Sequence, residues 1–176
     1  MQARKISLTD IEKYWNYDLG TNELIPTEYA IMNNKKTKLL LVGNYKKIPI
    51  NGIYYMYHRI LYQLYYRFER LNECDLIDHI DGNSLNNDIN NLRRSNKSEN
   101  GCNRVLAQKN NKLGYKNISL VPGGYRVCIA KKGKKRYSKC FYSLELAILH
   151  RDEKLKEYHG DFMNLGYCEW ADIKDE

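Results

Sequence analysis

An aspartate and a histidine stand side by side in Leu76-Ile77-Asp78-His79-Ile80-Asp81-Gly82-Asn83, and carboxamides return at Asn90-Asn91 and at Asn100. These residue types suit metal-assisted hydrolysis of a phosphodiester. That reaction needs an activated water, neutralised non-bridging oxygens and a stabilised leaving alkoxide. Asp78 offers a carboxylate oxygen, and Asn100 a neutral amide oxygen, to one hard divalent cation: Mg2+ first, Mn2+ second. Two protein ligands and one negative charge leave such an ion room for water and phosphate. His79, with an ordinary pKa of about 6.5, can take a proton from water. Adjacent strand residues point to opposite faces, so the pair needs a bend or bulge to act together. Asp81-Gly82 makes that bend plausible.

Three blocks of chain must position these residues. The first, about Ile6 to Tyr57, reads as short strands and turns. Tyr14-Trp15-Asn16-Tyr17 leads to a turn at Gly20-Thr21-Asn22, and Leu39 to Val42 ends at Gly43-Asn44. Lys47 to Ile50 and Ile53 to Tyr57 flank Asn51-Gly52, a strong hairpin signal. A helix then runs from about Tyr57 to Glu69 with Tyr57, Ile60, Leu61, Leu64, Tyr65 and Phe68 on one face. The second block, Leu76 to Asn103, reads strand, loop, strand, helix, with Ser95 as the helix cap. The third has strands at Tyr115 to Leu120, Tyr125 to Ala130 and Arg136 to Phe141. Turns fall at Pro122-Gly123-Gly124 and Lys132-Gly133-Lys134. Ser143 caps a closing helix through about Tyr158, with Leu144, Ala147, Ile148, Leu155 and Tyr158 as its apolar stripe.

Composition narrows the partners. The 176 residues are 43% hydrophobic and 28% charged, which describes a globular chain of one core or two small domains. No apolar run approaches the roughly 20 residues of a membrane span, and Met1 to Ile6 lacks a signal peptide's apolar core. The expected location is therefore intracellular, and no membrane partner is expected. Five scattered cysteines (Cys74, Cys102, Cys128, Cys140, Cys168) contain no CxxC pair, so no structural zinc is expected. Net charge is +8. From Lys112 to Tyr142 there are nine basic residues and no acid: Lys112, Lys116, Arg126, Lys131, Lys132, Lys134, Lys135, Arg136 and Lys139. Such a run is expected to meet a polyanion. Arg93, Arg94 and Lys97, beside the Asp-His motif, are expected to touch phosphate. Asp81 reads as a turn-former, His58 as packing at a helix start, and His150 and His159 as surface or packing residues.

The spaced pattern resembles the HNH nucleases of ββα-metal fold, in particular the phage and intron-encoded homing-endonuclease branch. Asp78-His79-x-Asp81-Gly82-Asn83, Asn90-Asn91-Leu92-Arg93 and Glu99-Asn100 carry the likeness. Asn91 follows His79 by 12 positions and Asn100 follows Asn91 by 9. Tyr17-Asp18, Asn51-Gly52 and His58-Arg59 match the lead-in. The resemblance implies His79 as general base, Asp78 and Asn100 as metal ligands, and Asn91 as the brace of the loop that orients the histidine. Asn100 stands where a histidine is often found. The third block is similar to the ethylene-response-factor type of DNA-binding domain through Tyr115-Lys116-Asn117-Ile118, Tyr125-Arg126-Val127, Lys134-Lys135-Arg136-Tyr137 and Ser143-Leu144-Glu145. It implies DNA contacts from Lys116, Arg126, Lys135, Arg136 and Tyr137, joined by the basic Lys131, Lys132 and Lys134.

The expectation is an α+β protein with N-terminal β-hairpins and a helix, a ββα-metal core, and a C-terminal three-stranded antiparallel sheet with one helix. Its expected parts are a nuclease domain over 1–108 (motif 76–103), a linker over 109–114, a DNA-binding domain over 115–166 and a tail over 167–176. Its expected activity is site-specific, metal-dependent cleavage of double-stranded DNA, with no small-molecule cofactor. The implied setting is the cytoplasm of a bacterial or virus-infected host cell. A non-cleaving DNA-binding protein on a decayed nuclease scaffold is the rival, and an RNA-directed or structure-specific nuclease is a third reading.

Overall fold

The computed structural model describes residues 6–33, 37–69, 71–72, 74–104, 111 and 113–165. Lys112, Cys168, the tail 167–176 and parts of the linker 109–114 lie outside them. The architecture is α+β, in the order α1 (Leu8–Tyr14), β1 (Trp15–Asp18), β2 (Glu23–Pro26), α2 (Glu28–Met32), β3 (Leu40–Val42), β4 (Tyr45–Ile50), β5 (Ile53–Met56) and α3 (Tyr57–Tyr65). β6 (Leu76–His79), β7 (Leu92–Ser95), α4 (Lys97–Cys102), β8 (Ile118–Val121), β9 (Gly124–Ile129), β10 (Tyr137–Phe141) and α5 (Leu144–His159) follow. Contacts divide the chain into two compact units, Met1–Lys97 and Ser98–Glu176, a boundary earlier than the expected one. Among the described residues no helix is long and apolar enough to cross a membrane.

In the first unit the block expected to hold only strands and turns also holds two helices. Ser7 caps α1 by accepting from the Asp10 N–H at 3.0 Å, and Thr27 caps α2 by accepting from the Ala30 N–H at 3.3 Å. β1 and β2 form one hairpin, and β3-β4-β5 form an antiparallel sheet. Asn51 and Gly52 take φ of 50° and 76°, as the tight β4–β5 turn demands. α3 starts where β5 ends and buries Tyr57, His58, Ile60, Leu61, Tyr62 and Leu64. These pack on Ile11, Trp15, Ile48, Ile50, Ile77 and Leu92. The helix ends at Tyr65, short of the expected Glu69, and Phe68 is fully exposed. A run of Tyr65, Tyr66 and Phe68 has weak helix propensity, and Phe68 has no buried surface to join.

In the second unit β10-β9-β8 is antiparallel, and α5 covers one face. Ser143 caps α5, accepting from the Leu146 N–H at 3.4 Å. The core is Ile118, Val127, Ile129, Ala147 and Leu155, with Leu144, Ile148 and Tyr158 packed against it. Gly124 has no room for a side chain: a Cβ there would lie 2.2 Å from the Phe141 carbonyl oxygen.

Candidate functional site

β6 and β7 pair antiparallel in the register Leu76↔Ser95, Ile77↔Arg94, Asp78↔Arg93 and His79↔Leu92. The ladder is unbroken, so no bulge separates Asp78 from His79 and alternation sends the two side chains to opposite faces; the bend falls just after them, where the Gly82 N–H donates to the His79 carbonyl at 2.9 Å. Both are nonetheless buried, at 6% and 5% exposure. Ser95 ends β7, with its hydroxyl 3.4 Å from the Leu76 carbonyl, and α4 begins at Lys97; Ser95 is therefore not the helix cap.

On one side, Asp78 Oδ2 accepts from Arg93 Nε at 3.1 Å and Nη2 at 3.0 Å. Arg93 is thus held at the carboxylate. Arg94 pairs with Asp75 at 2.6 Å, and Arg59 donates to the Asp75 and Asn72 carbonyls at 2.5 and 2.9 Å, tying down the approach to β6.

On the other side, His79 closes β6 against a ring of His58, whose centroid is 4.8 Å away and edge-on. Tyr45 lies 5.8 Å from His58 and 6.5 Å from His79. Burial, the nearby His79 and Arg59 push the His58 pKa down to about 3, so it is a neutral wall for the neighbouring ring. His79 Nε2 lies 3.2 Å from Asn87 Oδ1.

The loop between the strands is a network of Asx turns around Asp81. Its Oδ1 accepts from the Asn83 N–H at 2.7 Å and Asn91 Nδ2 at 3.0 Å, and its Oδ2 from Asn86 Nδ2 at 2.7 Å. Burial works to raise the Asp81 pKa. The Asn91, Asn86 and Asn83 hydrogen bonds, with His79 nearby, outweigh it and hold the carboxyl below its usual range. Asn91 also accepts from the Asp81 N–H at 3.0 Å and donates to the Asn86 carbonyl at 2.8 Å. Its main-chain oxygen receives the Ile80 N–H at 2.8 Å. It is a brace of the loop.

Asn100 is a half-buried residue of α4, and Lys97 is exposed at the start of that helix. In the C-terminal sheet the register groups Ser119, Arg126 and Cys140 with Cys128 and Ser138 on the face away from α5. Arg136 reaches this face, its Nε 2.9 Å from Cys128 Sγ. Arg126, Lys132, Lys134, Lys135 and Arg136 are exposed, and Lys131 is half-buried. Two expected DNA contacts are corrected. Tyr137 pairs with Ile129, so it faces the core, stacked between His150 and Tyr158, and its hydroxyl is buried. Lys116 turns its ammonium inward to the carbonyls of Cys102, Arg104 and Asn164 at 2.6, 2.8 and 3.3 Å, and burial lowers its pKa to about 8. Neither offers its polar group to a surface ligand.

Sequence reasoning missed Asn87 as a neighbour of His79. One asparagine among the seven from Asn83 to Asn100 carries no mark of its own. His58 was read correctly as packing, but nothing in its position disclosed what it packs against. Comparison with protein-family models, curated proteins and solved structures returns no match. The functional reading therefore rests on the residues and their geometry.

Proposed function

We propose that the chain is a metal-dependent DNA endonuclease of the HNH type, with His79 as general base. The observation that carries the reading is the setting of His79. It closes β6, walled by a neutral ring, with a tied loop leading back to β7, one residue after a buried carboxylate on the opposite face of the strand. A water in line with the scissile bond would give its proton to the His79 ring as its oxygen attacks phosphorus and the 3′ oxygen departs.

The donor chemistry at Asp78 suits one hard divalent ion, most simply Mg2+, since a carboxylate oxygen is what such an ion prefers. When bound, the ion neutralises charge on the phosphate and leaving oxygen. Asn100 enters as second ligand on the sequence pattern alone. Arg126, Lys132, Lys135 and Arg136, exposed on an acid-free segment, support DNA as the polyanion. The cytoplasm of a bacterial or virus-infected cell remains the implied setting.

One contact favours the non-cleaving rival. Arg93 occupies Asp78 Oδ2, so a cation there would bind beside a guanidinium. Nicking of supercoiled plasmid with and without Mg2+ decides between them. His79→Ala and Asp78→Ala are expected to lose cleavage by roughly 10²-fold or more while gel-shift affinity stays within about threefold. A wild-type chain that binds but never nicks would favour the rival.

A further inference from the structure

We infer that Lys116 is a positioning residue: its ammonium clasps α4, the helix that bears Asn100, to the unit built on β8, β9 and β10. The inference rests on the reading of Asn100 as a ligand of the cation. α4 has only six residues, Lys-Ser-Glu-Asn-Gly-Cys. Isolated helices shorter than about 12–15 residues are marginal, and serine, asparagine and glycine are poor helix formers. Tertiary contacts must therefore hold this helix.

Those contacts gather at its C-terminal end. Lys116 Nζ donates to the carbonyl of Cys102, the last helical residue, at 2.6 Å and to that of Arg104 at 2.8 Å. It donates also to the Asn164 carbonyl at 3.3 Å, so the chain that follows α5 joins the same point. An ammonium has three protons and no acceptor, and these three carbonyls take them all. The last carbonyls of a helix have no partner within it and need such a donor. A second tie runs beside the first, from Asn164 Nδ2 to Oδ1 of the buried Asn103 at 3.3 Å. The Asn103 N–H itself donates to the Glu99 carbonyl at 3.2 Å and closes the helix.

The other end of the clasp is anchored in the core of the same unit. The Lys116 main-chain carbonyl accepts from Nη1 of the fully buried Arg151, in α5, at 3.2 Å. The next residue, Asn117, donates from Nδ2 to the Cys128 carbonyl of β9 at 3.0 Å. All of α4 after its first residue falls in this second unit, Ser98–Glu176. Asn100 stands two residues before Cys102, less than one helical turn from the clasped carbonyl. It is thus placed by the sheet that presents Arg126. Lys116 touches neither substrate nor cation, and it acts on Asn100 through α4.

Amide hydrogen exchange of the full chain reads the clasp with neither cation nor DNA present. In the wild type the Asn103 amide is expected to exchange together with those of β9, in one cooperative opening. In Lys116→Met, which keeps the stem and removes the donors, Asn103 should exchange faster than β9 by about tenfold or more. A general loss of stability shifts both and cancels in that ratio. An unchanged ratio overturns the clasp. Should Lys116→Met fail to fold, a urea series on the wild type decides, and exchange of Asn103 ahead of β9 overturns it. In plasmid cleavage Lys116→Met should lower kcat about tenfold with KM for DNA within roughly twofold. Combined with Asn100→Ala it should add no further loss, because both changes act through one side chain. Additive losses overturn the positioning role. Full cleavage by Asn100→Ala, or none by the wild type, overturns the functional reading of that residue, while the exchange ratio still reports on the clasp.

Discussion

His58 does not take part in the proton transfer proposed for its neighbour, yet it shapes how the first unit responds to pH. In the folded chain its pKa is about 3, because burial, His79 and Arg59 all oppose a charge there. In the unfolded chain it returns to about 6.5. Between those values the unfolded state binds a proton that the folded state refuses. Stability is therefore fully present above about pH 6.5 and falls as pH drops toward 3. The slope is about 1.4 kcal/mol per pH unit for one proton. Urea unfolding at several pH values should show this loss in the wild type and its removal in His58→Phe, which keeps an aromatic wall. Equal slopes would mean that His58 gains a partner in acid. Lys116 poses the opposite question, since it looks like a DNA contact and is bonded inward. Lys116→Met is expected to lower unfolding free energy by about 1–3 kcal/mol and to leave the salt dependence of DNA binding unchanged. A reduced salt slope with unchanged stability would restore it to the DNA surface.

The hairpin of β6 and β7 shows how an element keeps a buried polar side chain in place. Ile89 is buried but Ile80 and Leu85 of its loop are exposed, so the loop's shape rests on hydrogen bonds gathered by Asp81 and Asn91. Asn91→Ala removes three of them, from the Asp81 N–H, to Asp81 Oδ1 and to the Asn86 carbonyl. The expected cost is about 2–3 kcal/mol of stability together with a lower kcat, because the turn carrying Asn87 loses its support. Chemical denaturation and single-turnover cleavage check both, and an unaltered denaturation midpoint would refute the brace. Much of this element was legible in the sequence, since Asx residues and glycine announce turns and Leu76-Ile77 announces a buried strand. The β4–β5 hairpin and α5 were legible for the same reason: Asn51-Gly52 and Ser143 are local signals. α1 and α2 went unread although Ser7-x-x-Asp10 and Thr27 are cap signals, because short helices amid aromatics show little periodicity. Tyr137 is a DNA contact only by the family resemblance, while its face is set by pairing with Ile129. The direction of Lys116 depends on distant carbonyl groups, which no local pattern encodes.

Across the whole molecule, the basic run and the proposed general base fall on different stretches of chain. The net charge is +8, and Lys112 to Tyr142 holds nine basic residues without an acid, whereas Asp78 and His79 belong to the other compact unit. Lys132, Lys135 and Arg136 are exposed, so replacing them with Gln removes the phosphate contacts proposed for them with little effect on either core. Each phosphate contact on duplex DNA contributes about 0.9 to the slope of log affinity against log salt. The triple variant should therefore bind more weakly at low salt, with a slope shallower by about 2–3. KM for DNA should rise, while kcat at saturating DNA should change by less than roughly twofold, because neither proton transfer nor ligand donation involves these side chains. Fluorescence anisotropy across a salt series measures the first part, and initial rates at saturating duplex measure the second. If kcat falls as far as affinity, the basic segment takes part in assembling the reactive complex. If the slope is unchanged, the polyanion is met elsewhere, and Arg126 with Lys97 becomes the next pair to replace.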